Sequence, residues 1–132
     1  MNAIKIILVA NFVLVLSLYT ITGTAVAAEN EAVTTVSINN TITHLEAALK
    51  AVNVNDFGVA QEHMKAARQS AKDIIGGSIE VKAQRGSNAL ASARRQAQKG
   101  DSAGTATSLK EAIEVFKSLH NPSETGSRGG LY

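Results

Sequence analysis

ITHLEAALKAVNVNDFGVAQEHMKAARQSAKDII, residues 42–75, decides the fold. Ile42, Leu45, Leu49 and Val52 recur at steps of three and four, which lays one apolar stripe along a helix and cannot line one face of a strand. After Asn53-Val54-Asn55-Asp56 the rhythm restarts with Phe57, Ala60, Met64, Ala67, Ala71 and Ile74. The Asp56 carboxylate can cap the second helix by accepting one of the backbone N–H groups that a first turn leaves unpaired. The stretch therefore reads as helix, tight turn, helix, with a narrow stripe on each member. Such a hairpin cannot bury its stripe alone.

The rest of the chain supplies a partner. Ile38 extends the first stripe; Ile79, Ala83, Gly86, Leu90, Ala93 and Ala97 mark a third helix. Ala106, Leu109, Ile113 and Phe116 mark a fourth, with Leu119 continuing its face. Gly76-Gly77-Ser78 separates helices two and three, Gly suiting the left-handed position after a helix and Ser78 the next N-cap. Lys99-Gly100-Asp101 separates three and four. The halves also match at an offset of 45 residues: Val36, Leu45, Ala48, Asp56, Lys65, Ala67 and Lys72 pair with Val81, Leu90, Ala93, Asp101, Lys110, Ala112 and Lys117. The expected fold is all-α, an up-down-up-down four-helix bundle of two αα-hairpins over residues 28–120, with helices of ~20 residues and ~30 Å. A tetratricopeptide-like array fits less well, since its period is about 34 residues.

Residues 1–27 have the three parts of an export signal: Lys5 near the start, the apolar run IILVANFVLVLSLYTI, and TGTAVA with small residues at Ala25 and Ala27. Cleavage is expected after Ala27 or Ala28, delivering the protein to a bacterial periplasm, with membrane contact only during export. The alternative is a retained anchor, because about 17 apolar residues can just span a bilayer. The Gly/Ser-rich stretch 121–132 is expected to form a flexible tail.

Composition narrows the chemistry. The 132 residues hold 13 Lys and Arg against 11 Asp and Glu, with no Cys and no Trp. The length fits one domain. Without cysteine there is no disulfide, thiolate metal site, catalytic thiol or lipoprotein anchor. A charge of +2 with so few aromatics gives no basis for a nucleic-acid partner. From residue 28 onward there are 17 Ala and two Phe. Small side chains let helices approach closely and leave little room for a prosthetic group. No haem is expected: the first helix has no Met to pair with His120, and covalent attachment would need cysteines. Alanine burial contributes little area, so a homodimer would suit this composition. No Ser lies in a nucleophile elbow, no strand leads into a phosphate loop, and Glu111 and Glu114 sit among Lys110 and Lys117 as a solvated face. No enzyme is expected.

His44, His63 and His120 are the remaining ligand candidates. None has a second ligand at three or four residues along its own helix. Across the first turn the outcome differs. His44 stands ten or eleven residues before the turn and His63 eight or nine after it, so an antiparallel hairpin puts them at one level. Each precedes a stripe residue, Leu45 or Met64, and so sits at the edge of the buried face. They could meet there as a two-histidine site for copper, nickel or zinc, with Glu62 or Glu46 nearby; two ordinary boundary histidines would have the same spacing. His120 belongs at the opposite end. Helix three carries Lys82, Arg85, Arg94, Arg95 and Lys99 against Glu80, while helix one carries Glu29, Glu31 and Glu46 against Lys50. The two sets are expected to pack on each other within or between molecules, or the basic face to dock an acidic protein partner or anionic lipid.

The export signal, alanine-rich bundle and duplicated hairpin together resemble the bacterial periplasmic small metal-binding protein family. The local match is residues 42–75, with His44-Leu45-Glu46, Ala48 and Lys50 before the turn and Val59-Ala60 and His63 after it. NALASARRQAQKGDSAGTATSLKEAIEVFKSL, residues 88–119, keeps the frame without the histidines, and the resemblance spans about 80 residues. It implies a four-helix bundle that sequesters divalent copper, nickel or zinc in the periplasm. His44 and His63 fit that pattern, while most other positions where the family has histidine hold Ala, Gln, Ser, Lys or Arg.

Overall fold

A computed structural model describes residues 25–120. The expected leader falls almost wholly outside the described residues, and the tail 121–132 entirely so. Four helices follow in order: α1 (Ala25–Asn53), α2 (Phe57–Ala71), α3 (Gly77–Gln98) and α4 (Ser102–Lys117). Among the described residues there is no strand. α1 packs along α2 and α3 along α4, while α4 also meets α1 and α2 meets α3; the diagonal pairs are not in contact. This is the four-helix arrangement that short connections impose.

The two tight turns are the same structure, 45 residues apart. In the first, the N–H groups of Asn55 and Asp56 donate to the carbonyls of Val52 and Ala51 at 2.9 Å each. In the second, Gly100 and Asp101 donate to Ala97 and Gln96 at 3.1 and 3.0 Å. These paired bonds close a helix C-terminus over a residue in the left-handed region. That residue is Asn55 at φ 58° in one turn and Gly100 at φ 72° in the other. Glycine enters this region freely, and asparagine is among the few side chains that tolerate it. Each turn then caps the next helix: Asp56 accepts from Val59 N–H at 3.0 Å, and Asp101 from Gly104 N–H at 2.9 Å. Ser102 Oγ donates to Asn55 Oδ1 at 2.8 Å, which ties the two turns together at one end of the bundle.

Because the caps are equivalent, their loss should cost alike. Asp56→Ala and Asp101→Ala are each expected to lower stability by about 0.5–2 kcal/mol, and Asp→Asn at either site by much less. Urea melts of the four variants check this, and a large cost at only one site would contradict the repeat.

The connection between α2 and α3 departs from expectation. α2 ends at Ala71 with Lys72 as its cap, so neither Gly76 nor Gly77 closes it. The glycines open α3 instead, both at positive φ, with Gly76 as N-cap and Ser78 already inside the helix. Glu80 supplies the side-chain bond, its carboxylate accepting from Gly76 N–H at 3.3 Å. Ile74 lies beyond α2 in the turn, yet it folds back into the core at 3% exposure. Helix lengths are also unequal, 29, 15, 22 and 16 residues, where about 20 each was expected.

The core follows the stripes. Leu45, Met64, Leu90, Leu109 and Phe116 are buried, and alanines fill the spaces between them. Thr41 and Thr105 are wholly buried beside them, each four residues before a core leucine, Leu45 or Leu109, and so on the same face of its helix. Each hydroxyl donates to the carbonyl four residues back, Thr41 to Ser37 at 2.7 Å and Thr105 to Asp101. A hydroxyl satisfied within its own helix can be buried at little cost. No described helix is long and apolar enough to cross a membrane.

Candidate functional site

His44 on α1 and His63 on α2 meet across the first hairpin. Their Nδ1 atoms lie 3.4 Å apart, with ring centroids 5.7 Å apart and planes tilted by 32°. The nitrogen separation falls short of the centroid separation by about two imidazole ring radii. Each Nδ1 therefore lies near the line joining the rings and faces the other. With both rings neutral, one Nδ1–H donates and the other Nδ1 accepts, which needs opposite tautomers. Both rings are half-buried at the rim of the α1–α2 seam.

The antiparallel register produces this contact. Both helices run unbroken from the Asp56 turn, so the level of each histidine is fixed by its distance along the helix axis. Each ring stands one residue from a fully buried anchor, Leu45 or Met64. The 45-residue repeat places Ala89 and Ser108 at the matching positions of the second hairpin, both buried. The second hairpin therefore offers no imidazole pair.

The spacing suits a metal. Two nitrogens about 2.0–2.1 Å from a zinc ion at the tetrahedral angle are about 3.3–3.4 Å apart. At the right angle of a square-planar copper or nickel site they would stand about 2.9 Å apart. The pair as it stands has the wider bite. A metal would lie beside the line between the nitrogens, so each ring would rotate to bring its lone pair onto it, and the Nδ1 proton would move to Nε2.

The carboxylates do not complete the site. Glu46 is drawn the other way, to Lys117 Nζ of α4 at 2.8 Å. Glu62 is exposed, and among the described residues no third histidine, aspartate or glutamate converges with the pair. His120 is at the far end, where it shares a groove with Glu31, Ile38, Ile75 and Leu119. The hydrogen bond to Glu46, and then its negative charge, raise Lys117 above its ordinary value of 10.5. A raised lysine stabilises the fold fully below its unfolded pKa and stops doing so as pH rises through the folded one. Stability should therefore fall above about pH 10.5 by more in the wild type than in Lys117→Gln, as paired urea melts at neutral and alkaline pH would reveal.

The five α3 cations do not share one environment. Arg85, Arg95 and Lys99 are exposed, and Arg95 turns back to Ser92 Oγ at 3.0 Å. Lys82 is half-buried, and Arg94 lies in a groove against α2. Within the chain, acidic helix one does not pack on basic helix three, because α1 and α3 stand on a diagonal and Glu46 pairs with α4. No known protein family, curated protein or solved structure matches the chain.

Proposed function

We propose that this protein is a small exported helical bundle that holds a divalent metal ion at His44 and His63, as a relative of the periplasmic small metal-binding proteins. The observation that carries the reading is the 3.4 Å approach of two Nδ1 atoms from different helices. Two protein ligands leave the remaining coordination positions to solvent or to another donor, so binding is weak and exchangeable, as sequestration and release require. The ions are zinc, copper and nickel; the bite suits zinc, while copper forms the stronger complexes with imidazole once the pair closes slightly. No catalytic role is assigned to any residue.

A second reading, a metal-free interaction protein, rests on the exposed Arg85, Arg95 and Lys99 of α3. It would dock an acidic partner with Lys82, Arg85, Arg94, Arg95 and Lys99. Calorimetric titration of zinc, copper and nickel into wild type and a His44→Ala, His63→Ala double variant separates the two. Saturable binding confined to the wild type supports the metal reading, and equal binding by both proteins overturns it.

A further inference from the structure

The histidine pair offers two donors, and zinc ordinarily takes more from a protein. Structural zinc sites close with four protein ligands, and catalytic ones use three and keep one position open. Among the described residues no third histidine, aspartate or glutamate converges with His44 and His63. Glu46 is held by Lys117 at 2.8 Å. The remaining donors come from outside the chain, as water or as the same pair on a second copy. The bite suits the second of these. In a tetrahedral site every two donors are equally far apart, so a copy of a pair set at 3.4 Å has the spacing the other two positions need. A two-fold axis through the ion carries one pair onto the other, and that is the symmetry of most homodimers.

The surface around the pair lets a copy approach. Both rings are half-buried at the rim of the α1–α2 seam and so are open on their outer side. One helical turn away on the same faces stand Asn40 and Ala47 of α1 and Val59 and Ala66 of α2, none of them wholly buried. None is charged, and none is longer than asparagine. This matters because a two-fold contact sets one patch against itself, so any charge close to the axis would face its own like. Val59 is an apolar side chain left 45% exposed in a single copy.

We propose that the ion bridges two copies of this chain, His44 and His63 of each completing one tetrahedral site of four imidazoles. The proposal rests on the metal reading and adds the partner to it. It also ties association to the ratio of ion to chain. With chain in excess two pairs share an ion, and with ion in excess each pair loads its own and the copies separate.

The intact protein, free of any added histidine tag, is titrated with zinc while sedimentation velocity follows its mass. The expected result is a monomer without metal, a doubled mass near one zinc per two chains, and a return to monomer as zinc exceeds chain. The His44→Ala, His63→Ala double variant should stay monomeric throughout. Val59→Lys sets a cation against its own copy near the axis, and should weaken dimerisation by roughly tenfold or more while each chain still binds zinc. Val81→Lys makes the same change at an exposed position of α3, outside the hairpin, and should stay within about twofold of wild type. Glu62→Gln should dimerise as the wild type does, since imidazoles complete the site. Circular dichroism establishes that the variants are folded. Zinc bound at one per chain with no rise in mass at any ratio overturns the proposal and leaves the metal reading standing. A dimer that survives loss of both histidines, or that Glu62→Gln abolishes, overturns it too. Absence of saturable zinc binding removes the metal reading and the bridge together.

Discussion

Replacing Phe116 with alanine is expected to destabilise the bundle by about 3–5 kcal/mol, the range for removing a buried aromatic ring. Among the described residues Phe116 is the largest wholly buried side chain, in a core otherwise built from alanines and a few Leu, Ile, Val and Met side chains. Short alanine side chains cannot collapse into the space that the ring leaves, so the cavity term should be large. For a domain of this size the melting temperature should drop by roughly 15–30 °C. The opposing position tests the same contact from the other side. A Cβ on Gly86 would stand 2.7 Å from Phe116 Cε2, and the ring has no free direction in which to move. Gly86→Ala should therefore destabilise by about 1–3 kcal/mol from overpacking, less the ~1 kcal/mol that alanine gains over glycine within a helix. Phe116→Leu combined with Gly86→Ala should lose less than the two single changes together, because the smaller side chain admits the methyl group. A stabilising Gly86→Ala would mean that this contact is not made.

Loss of either histidine should have the second large effect. A metal held by two nitrogens from one rigid hairpin gains from their pre-set spacing, and a single imidazole has no such advantage. His44→Ala and His63→Ala are thus each expected to weaken zinc binding by at least tenfold, and the double variant to resemble a protein without the site. His120→Ala should leave binding unchanged, since that ring lies at the other end of the bundle. Thermal stability gives an independent readout. With zinc at 100 times its dissociation constant the wild type should gain about 2.7 kcal/mol, and the His44→Ala and His63→Ala proteins far less. Neither change touches the buried core, so the metal-free variants should melt close to wild type.

Much of this architecture was legible from residue order. The stripe positions Leu45, Met64, Leu90 and Leu109 are all buried to 1% exposure or less, because helical periodicity alone determines which side chains share a face. Asp56 and Asp101 could be read as caps from their places before the restart of each rhythm. The level of His44 against His63 followed from counting along two helices out of one turn. Other features depend on how neighbouring helices rotate, which no single helix records. Thr41 and Thr105 lie in the core because a hydroxyl bonded to its own helix behaves as a small apolar group, whereas sequence alone marks threonine as polar. The contact of Gly86 with Phe116 joins α3 to α4 through a missing side chain, and a glycine within a helix gives no hint of what it faces. Arg94 counted with four other cations as one basic face, yet it lines a groove shared with Arg68 and Lys72, which the charge pattern of α3 does not mention. α2 is short because it ends at Ala71, ahead of the glycine pair, which opens α3 instead of closing α2.

The most direct measurement is nitrogen-15 NMR of the histidine side chains as zinc is added to the intact protein. The account predicts that Nδ1 of His44 and His63 shift together to metal-coordinated values while their Nε2 atoms carry protons, with His120 unmoved. Coordination through Nε2, a shift in only one of the two rings, or an equal response at His120 would contradict it.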